Sequence, residues 1–327
     1  TPAGFTIVPN SPQATTAGVS GTRLTVYWAR ATSGAMPNPT VADPGNHAIA
    51  QILTYRNVAT TGNPWDVTAG GVKITGSLTF SAPSVTTTMT DTLIVVAVSD
   101  DVDANSTLTF SGWTNANLMN IAERSDFGRN NGIGGGFGLA DGVKATVGAT
   151  GNTTGSVINS TNAYLTIALR PQPKTTLGDG TDPANITLAP GGPATMADGF
   201  TFKTNIGTDV VTAAVVDLGA GTSAGISLVE ITNNAGTVVY GSTTDPASDT
   251  PSITLSGLTA TTVLTNYKIR VMPKTHANMP APSGSTYSVT ATISSWTSTN
   301  LPAGIDTAGT TITIDNLSPA YVTNFSV

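Results

Sequence analysis

Ala163-Tyr164-Leu165-Thr166-Ile167-Ala168-Leu169, followed by Arg170-Pro171-Gln172-Pro173-Lys174-Thr175-Thr176, sets the architecture of this chain. The first seven residues carry no charge and have the length and the β-branched, aromatic character of a buried strand. Pro171 and Pro173 stand one residue apart, and proline brings no N–H to a sheet ladder, so a central strand cannot run through them. A strand closes one domain here and another begins after it. The boundaries expected are a first domain over residues 1–171, a second over 172–300, and a C-terminal extension over 301–327.

Working outward, the same strand signals recur on both sides. Leu24, Val26 and Trp28 alternate with Thr25, Tyr27 and Ala29, the period of two that marks a half-buried strand. Further strands are predicted at residues 48–55, 74–80, 92–98 and 107–113, separated by turn clusters such as Ala42-Asp43-Pro44-Gly45-Asn46. Trp28 and Leu93 to Val98 are expected in the first core. Residues 117–124 are the only stretch spaced for a helical turn. Beyond the prolines, strands are expected at residues 200–202, 210–218, 226–231, 238–240, 253–255, 267–271 and 287–293, with a hairpin turn at Asn233-Asn234-Ala235-Gly236. The pattern predicts an all-β protein of two sandwiches, jelly-roll-like and then immunoglobulin-like. Residues 297–309 read as a linker.

Composition agrees with this reading and removes several functions. Only 10% of the 327 residues are charged, while 39% are apolar, with 35 Gly and 20 Pro. Enough surface can be buried for the chain to fold. No run of about 18 apolar residues occurs, so no membrane-spanning helix is expected. The absence of cysteine excludes a disulfide framework, a thiolate metal site and a cysteine nucleophile. The net charge of -6 falls mostly in the second half, and the thirteen Lys and Arg are scattered, which argues against nucleic-acid binding. The chain opens at Thr1 with no methionine and no charged-then-apolar leader, which reads as a processed, extracellular form.

No catalytic set emerges. His47 and His276 lie in different domains, the only glutamates, Glu123 and Glu230, are likewise apart, and no nucleophile elbow, phosphate loop or zinc-helix motif occurs. The chain is therefore expected not to be an enzyme. Gly132-Ile133-Gly134-Gly135-Gly136-Phe137-Gly138 reads as a packed surface turn or a subunit contact. Asp179 and Asp182, in Gly178-Asp179-Gly180-Thr181-Asp182-Pro183, form a candidate calcium loop, as do Asp100, Asp101 and Asp103. Trp65 and Trp113 could stack on a sugar. Asn105, Asn152, Asn159, Asn185, Asn316 and Asn324 each open a glycosylation triplet.

The segments Gly62-Asn63-Pro64-Trp65-Asp66, Asp91-Thr92-Leu93-Ile94-Val95, Glu123-Arg124-Ser125-Asp126 and Asn162 to Leu169 make the first domain similar to a module of tailed-phage and prophage structural proteins and bacterial surface proteins. The stretch from Gly178 to Trp296, with Pro273-Lys274-Thr275-His276-Ala277-Asn278-Met279-Pro280, resembles repeated modules of large secreted bacterial proteins. The resemblance implies extracellular or virion architecture and brings no catalytic residues. The function expected is a structural subunit of a pilus-like extracellular filament or cell-surface assembly, made of copies of itself. A phage tail or fibre protein and a carbohydrate-binding adhesin for a host or cell-surface glycan are the alternatives. In the extension, Thr310, Ile312, Ile314, Tyr321, Val322 and Phe325 are expected to pair with a neighbouring subunit, because a lone hairpin needs a sheet edge to dock on; the alternative is that these strands finish the second sandwich of their own chain.

Overall fold

The computed structural model describes residues 1–16, 21–34, 36, 38–41, 48–103, 109–130, 134–280 and 286–317. The chain divides into two compact units, Thr1–Gln172 and Pro173–Val327. Both are built from β-strands, with two three-residue 3-10 turns, Ser223–Gly225 and His276–Asn278, as the helical content of the described residues. The all-β, sandwich-type fold predicted is the fold observed.

The first unit rests on one six-stranded sheet. Its strands are β1 (Trp65–Ala82), β2 (Thr92–Asp100), β3 (Phe110–Thr114), β4 (Met119–Arg129), β5 (Gly135–Lys144) and β6 (Thr153–Leu169). The order is β1-β6-β2-β5-β4, with β3 continuing beside β6. Every pairing in it is antiparallel. The unbroken apolar run of β2 follows from burial on both faces. Ile94, Val96 and Val98 face Phe80, Phe110, Leu118 and Tyr164, while Val95 joins Leu165, Ile167 and Val8 on the other side. Trp28 is only half-buried there, packed edge-on against Trp65 at 5.4 Å.

Three expectations in this unit need correction. Residues 117–124 are not helical: most of them belong to β4, whose pairing with β5 slips twice, and those bulges broke the alternation that would have marked a strand. Residues 48–55 form no ladder, because their alternating apolar residues find no partner strand. The glycine run is not a surface turn over its described part, since Gly135 to Gly138 lie inside β5. A Cβ on Gly138 would stand 2.6 Å from the Phe110 ring and 2.9 Å from Trp113, so glycine is what lets these rings lie on the sheet.

The second unit packs a six-stranded sheet against two three-stranded ones. The strands of these three sheets are β7 (Lys174–Asp179), β8 (Ile186–Leu188), β9 (Thr195–Thr204), β10 (Ala213–Asp217), β11 (Ile226–Asn233), β12 (Val239–Thr244), β13 (Ser252–Thr254), β14 (Thr265–Pro273), β15 (Thr286–Val289), β16 (Thr292–Thr297), β17 (Leu301–Gly304) and β18 (Ile312–Asp315). The large sheet runs β12-β11-β14-β9-β7-β17, and the small ones run β8-β18-β15 and β13-β10-β16. Phe200, Phe202, Tyr267, Ile269 and Ile231 from the large sheet meet Val216, Ile253, Ile293, Ile312 and Ile314 from the small ones in one core. The turn at Asn233 to Gly236 joins β11 to β12 as predicted, with Gly236 at φ 72° and its N–H on the Asn233 carbonyl.

The described part of the C-terminal segment, up to residue 317, pairs within its own unit. Leu301–Gly304, inside the presumed linker, pairs in parallel with Lys174–Leu177, and Ile312–Ile314 pairs in parallel with Ile186–Leu188. Ile312 and Ile314 are fully buried and Thr310 is nearly so. These three residues therefore close their own domain and are not free to pair outside it. The physical reason is that Ile312 and Ile314 of β18, the middle strand of its layer, share one core with Leu177, Leu188 and Met279, and exposing that core would cost more than a strand contact returns. Tyr321, Val322 and Phe325 lie outside the described residues.

Candidate functional site

The end of β7 and the turn after it bring a carboxylate onto β9. Gly180 N–H bonds the Gly199 carbonyl at 2.8 Å, and Asp182 Oδ1 accepts Gly199 N–H at 3.1 Å. The loop is closed by backbone contact, since a Cβ on Gly199 would stand 2.5 Å from the Thr181 carbonyl oxygen and one on Gly180 2.5 Å from the carbonyl carbon of Gly199. On β9 the pairing with β14 slips between Met196 and Asp198, and this bulge leaves Ala197 and Asp198 both 1% exposed. After β17 the chain returns to the same place, where Asp306 Oδ2 accepts Ile293 N–H at 2.7 Å. The charges of Asp306 and Asp182 act on the Asp198 carboxyl, and that of the exposed Asp179 acts on Asp306.

This group differs from the buried carboxylates that have a cation or hydroxyls as partners. Asp141 is held by a two-pronged Arg124 contact, Nε to Oδ2 and a terminal nitrogen to Oδ1, both 2.8 Å. Glu230 meets Arg270 at 2.9 Å. Asp209 accepts hydroxyl donors from Thr175 and Thr299. Asp198 has no donor on either oxygen, and Asp306 Oδ1 has none. Burial, and then the facing Asp306 and Asp182 charges, push the Asp198 carboxyl far above the carboxylate range, and burial pushes Asp306 upward too. Among the described residues no group of three or more His, Cys, Asp or Glu side chains is arranged to hold a metal.

Of the two residues predicted here, Asp182 enters the cluster and Asp179 stands at its edge. Asp198 and Asp306 were missed, although Met196-Ala197-Asp198-Gly199-Phe200 carries a signal: one acid inside an otherwise apolar strand. The other acidic loop does not converge. Asp100 Oδ1 accepts Val102 N–H, Asp101 accepts the N–H and hydroxyl of Thr161, and Asp103 accepts Gly134 N–H.

The remaining candidates resolve into packing roles. Trp65 packs on Trp28, and Trp113 lies on Phe80 with its Nε1–H on Glu123 at 2.9 Å, so both rings are engaged inside the first unit. His276 Nδ1 contacts Asn316 Oδ1, and His47 lies outside the described residues. Among the triplets, Asn316 is buried, Asn152 is tied to Ser81 and Ser84, Asn159 and Asn185 are exposed, and Asn105 and Asn324 lie outside the described residues. An open groove of about 400 Å³ runs along β8, lined by Asn185, Ile186, Thr187, Thr311 and Thr313, with no aromatic ring to stack on a sugar. No helix among the described residues is long and apolar enough to cross a membrane. Comparison with protein-family models, with curated proteins and with solved structures gives no match.

Proposed function

We propose that this chain is a non-enzymatic structural subunit of an extracellular filament or cell-surface assembly, joined to copies of itself along sheet edges of the first unit. The observation that carries this is β1. It is an 18-residue strand at one end of its sheet, paired on one side by β6. It exposes Ile74 at 67% and Leu78 at 68%, with Val72 beside them. A protein that stays alone blunts a long edge with charge, proline or a cover. Here Lys73, bonded to Ser77, is the charge of the exposed stretch, and the cover from Asn10 and Gln13 lies against Thr68 and Gly70, before that stretch.

The opposite end of the same sheet is β4, paired on one side by β5. Two different edges that meet head to tail do not close, and such contacts build filaments. The non-enzymatic reading is supported by the structural employment of the glutamates, Glu123 on the Trp113 indole and Glu230 on Arg270.

Sedimentation and negative-stain microscopy over a range of concentrations test the assembly. Concentration-dependent polymers, lost in the Ile74→Lys/Leu78→Lys variant with unchanged circular dichroism, are expected. Monodisperse monomers at every concentration would overturn the reading.

A further inference from the structure

The first strand of the second unit carries a threonine whose hydroxyl stands between a carboxylate and an amide. Among the buried threonines, Thr92, Thr166 and Thr222 give their hydroxyl protons to backbone carbonyls, and Thr153 receives the Asn115 amide. Thr175, on β7 and fully buried, gives its proton to Asp209 Oδ2 at 2.5 Å and receives Asn300 Nδ2 at 3.1 Å. A base, a nucleophile and an electrophile are thus in direct contact.

Asp209 is 2% exposed, and its other oxygen accepts the N–H and the hydroxyl of Thr299, the neighbour of Asn300. Burial raises its carboxyl, but the hydroxyls of Thr175, Ser298 and Thr299 and the Thr299 N–H outweigh that and hold it below the usual carboxylate range. It is therefore ionised at neutral pH. With its proton turned to Asp209, the Thr175 oxygen presents a lone pair to the Asn300 amide. An amide C–N bond is about 1.33 Å, so with Nδ2 at 3.1 Å the Asn300 Cγ lies within about 4.4 Å of that oxygen. Reacting atoms in a near-attack arrangement are about 3–3.5 Å apart, and rotation of the half-buried Asn300 amide can close the difference.

We propose that Thr175 and Asn300 form an intramolecular ester, with Asp209 as the base. Thr175 Oγ1 adds to Asn300 Cγ as its proton passes to Asp209 Oδ2. The Cγ–Nδ2 bond then breaks, the proton goes to the leaving nitrogen, and ammonia departs. A hydroxyl and a carboxamide become an ester and ammonia, which balances without an oxidant, a reductant or a second substrate. The step is a single turnover within one chain and does not rest on the assembly reading. Asn300 immediately precedes β17, the parallel neighbour of β7, so the ester staples the first strand of the unit to a strand near its end. In a chain without cysteine, it constrains the unfolded state as a disulfide would.

Mass spectrometry of the intact, denatured full chain reads the reaction. Expected is a mass about 17 Da below that of the sequence, one ammonia lost. Trypsin should release residues 175–203 joined to residues 275–327, because no Lys or Arg interrupts either stretch before its end. Mild alkaline hydroxylamine, which cleaves esters, should separate the two peptides. Thr175→Ala, Asn300→Ala and Asp209→Asn should each keep the mass of their sequence, while Thr175→Ser keeps the link. A wild-type chain at its sequence mass overturns the proposal. So does the same loss with the two peptides separate, which marks a succinimide at Asn300, and a link that persists in Asp209→Asn overturns the role of the base. The wild-type mass decides even where a variant fails to fold.

Discussion

Replacing Ile314 by alanine tests whether β18 belongs to its own domain. Ile314 is fully buried, opposite Leu188 on β8 and Tyr287 on β15, in the middle strand of its layer. The substitution removes three carbons and leaves a cavity between two strands that cannot collapse without breaking their ladders. Ile→Ala at buried sites costs about 2–5 kcal/mol, and this geometry places the effect near the middle of that range, about 3–4 kcal/mol. Ile305, in the same segment, is 73% exposed, and Ile305→Ala should stay within about 0.5 kcal/mol. Urea unfolding of the two variants, followed by circular dichroism and by the fluorescence of Trp296 against Phe202, reads the difference as a shift in midpoint at constant slope. If Ile314→Ala costs no more than Ile305→Ala, the strand is not docked in its own unit and the closed-domain description fails.

Three other outcomes follow from the first unit. Asp100 is buried, and that burial raises its carboxyl to about 6. A group whose folded pKa lies above its unfolded value stabilises below the unfolded pKa, so roughly 2–3 kcal/mol should be lost as the pH rises from about 4 to above 6, and Asp100→Asn should flatten that slope in pH-dependent denaturation. Gly138→Ala should cost about 1–3 kcal/mol and alter Trp113 fluorescence, because the methyl group meets the Phe110 ring; an unchanged midpoint would show that the ring packing is loose. Arg124→Ala leaves Asp141 buried and unpaired, at about 2–3 kcal/mol given that Arg124 is half exposed, and Asp141→Asn in the same chain should recover part of that in thermal melts.

Strands whose residues pack on one core were legible in the sequence, because hydrophobicity and β-branching report burial directly: Leu93 to Val98 and Ala163 to Leu169 needed no tertiary knowledge. What stayed hidden depends on register and on partners distant in the chain. The bulges opposite Leu139 and Asp141 disguised β4, and the parallel partnership of β17 and β18 with β7 and β8 is invisible to any local window. The same limit applies to the acidic cluster. Asp179 and Asp182 declare themselves by proximity in sequence, whereas Asp198 and Asp306 reach them only through a bulge and a returning loop.

The parallel pairing of the first strands of the second unit with its last ones also orders its birth. β8 has β18 as its ladder partner, and one side of β7 is paired by β17, so both wait until nearly the whole unit has left the ribosome. Closing so long a loop is an entropic cost met before the contact returns anything, which makes such a unit a slow folder, on the scale of milliseconds to seconds. During synthesis its earliest strands remain half-finished edges, open to any passing strand, until the final residues arrive to occupy them.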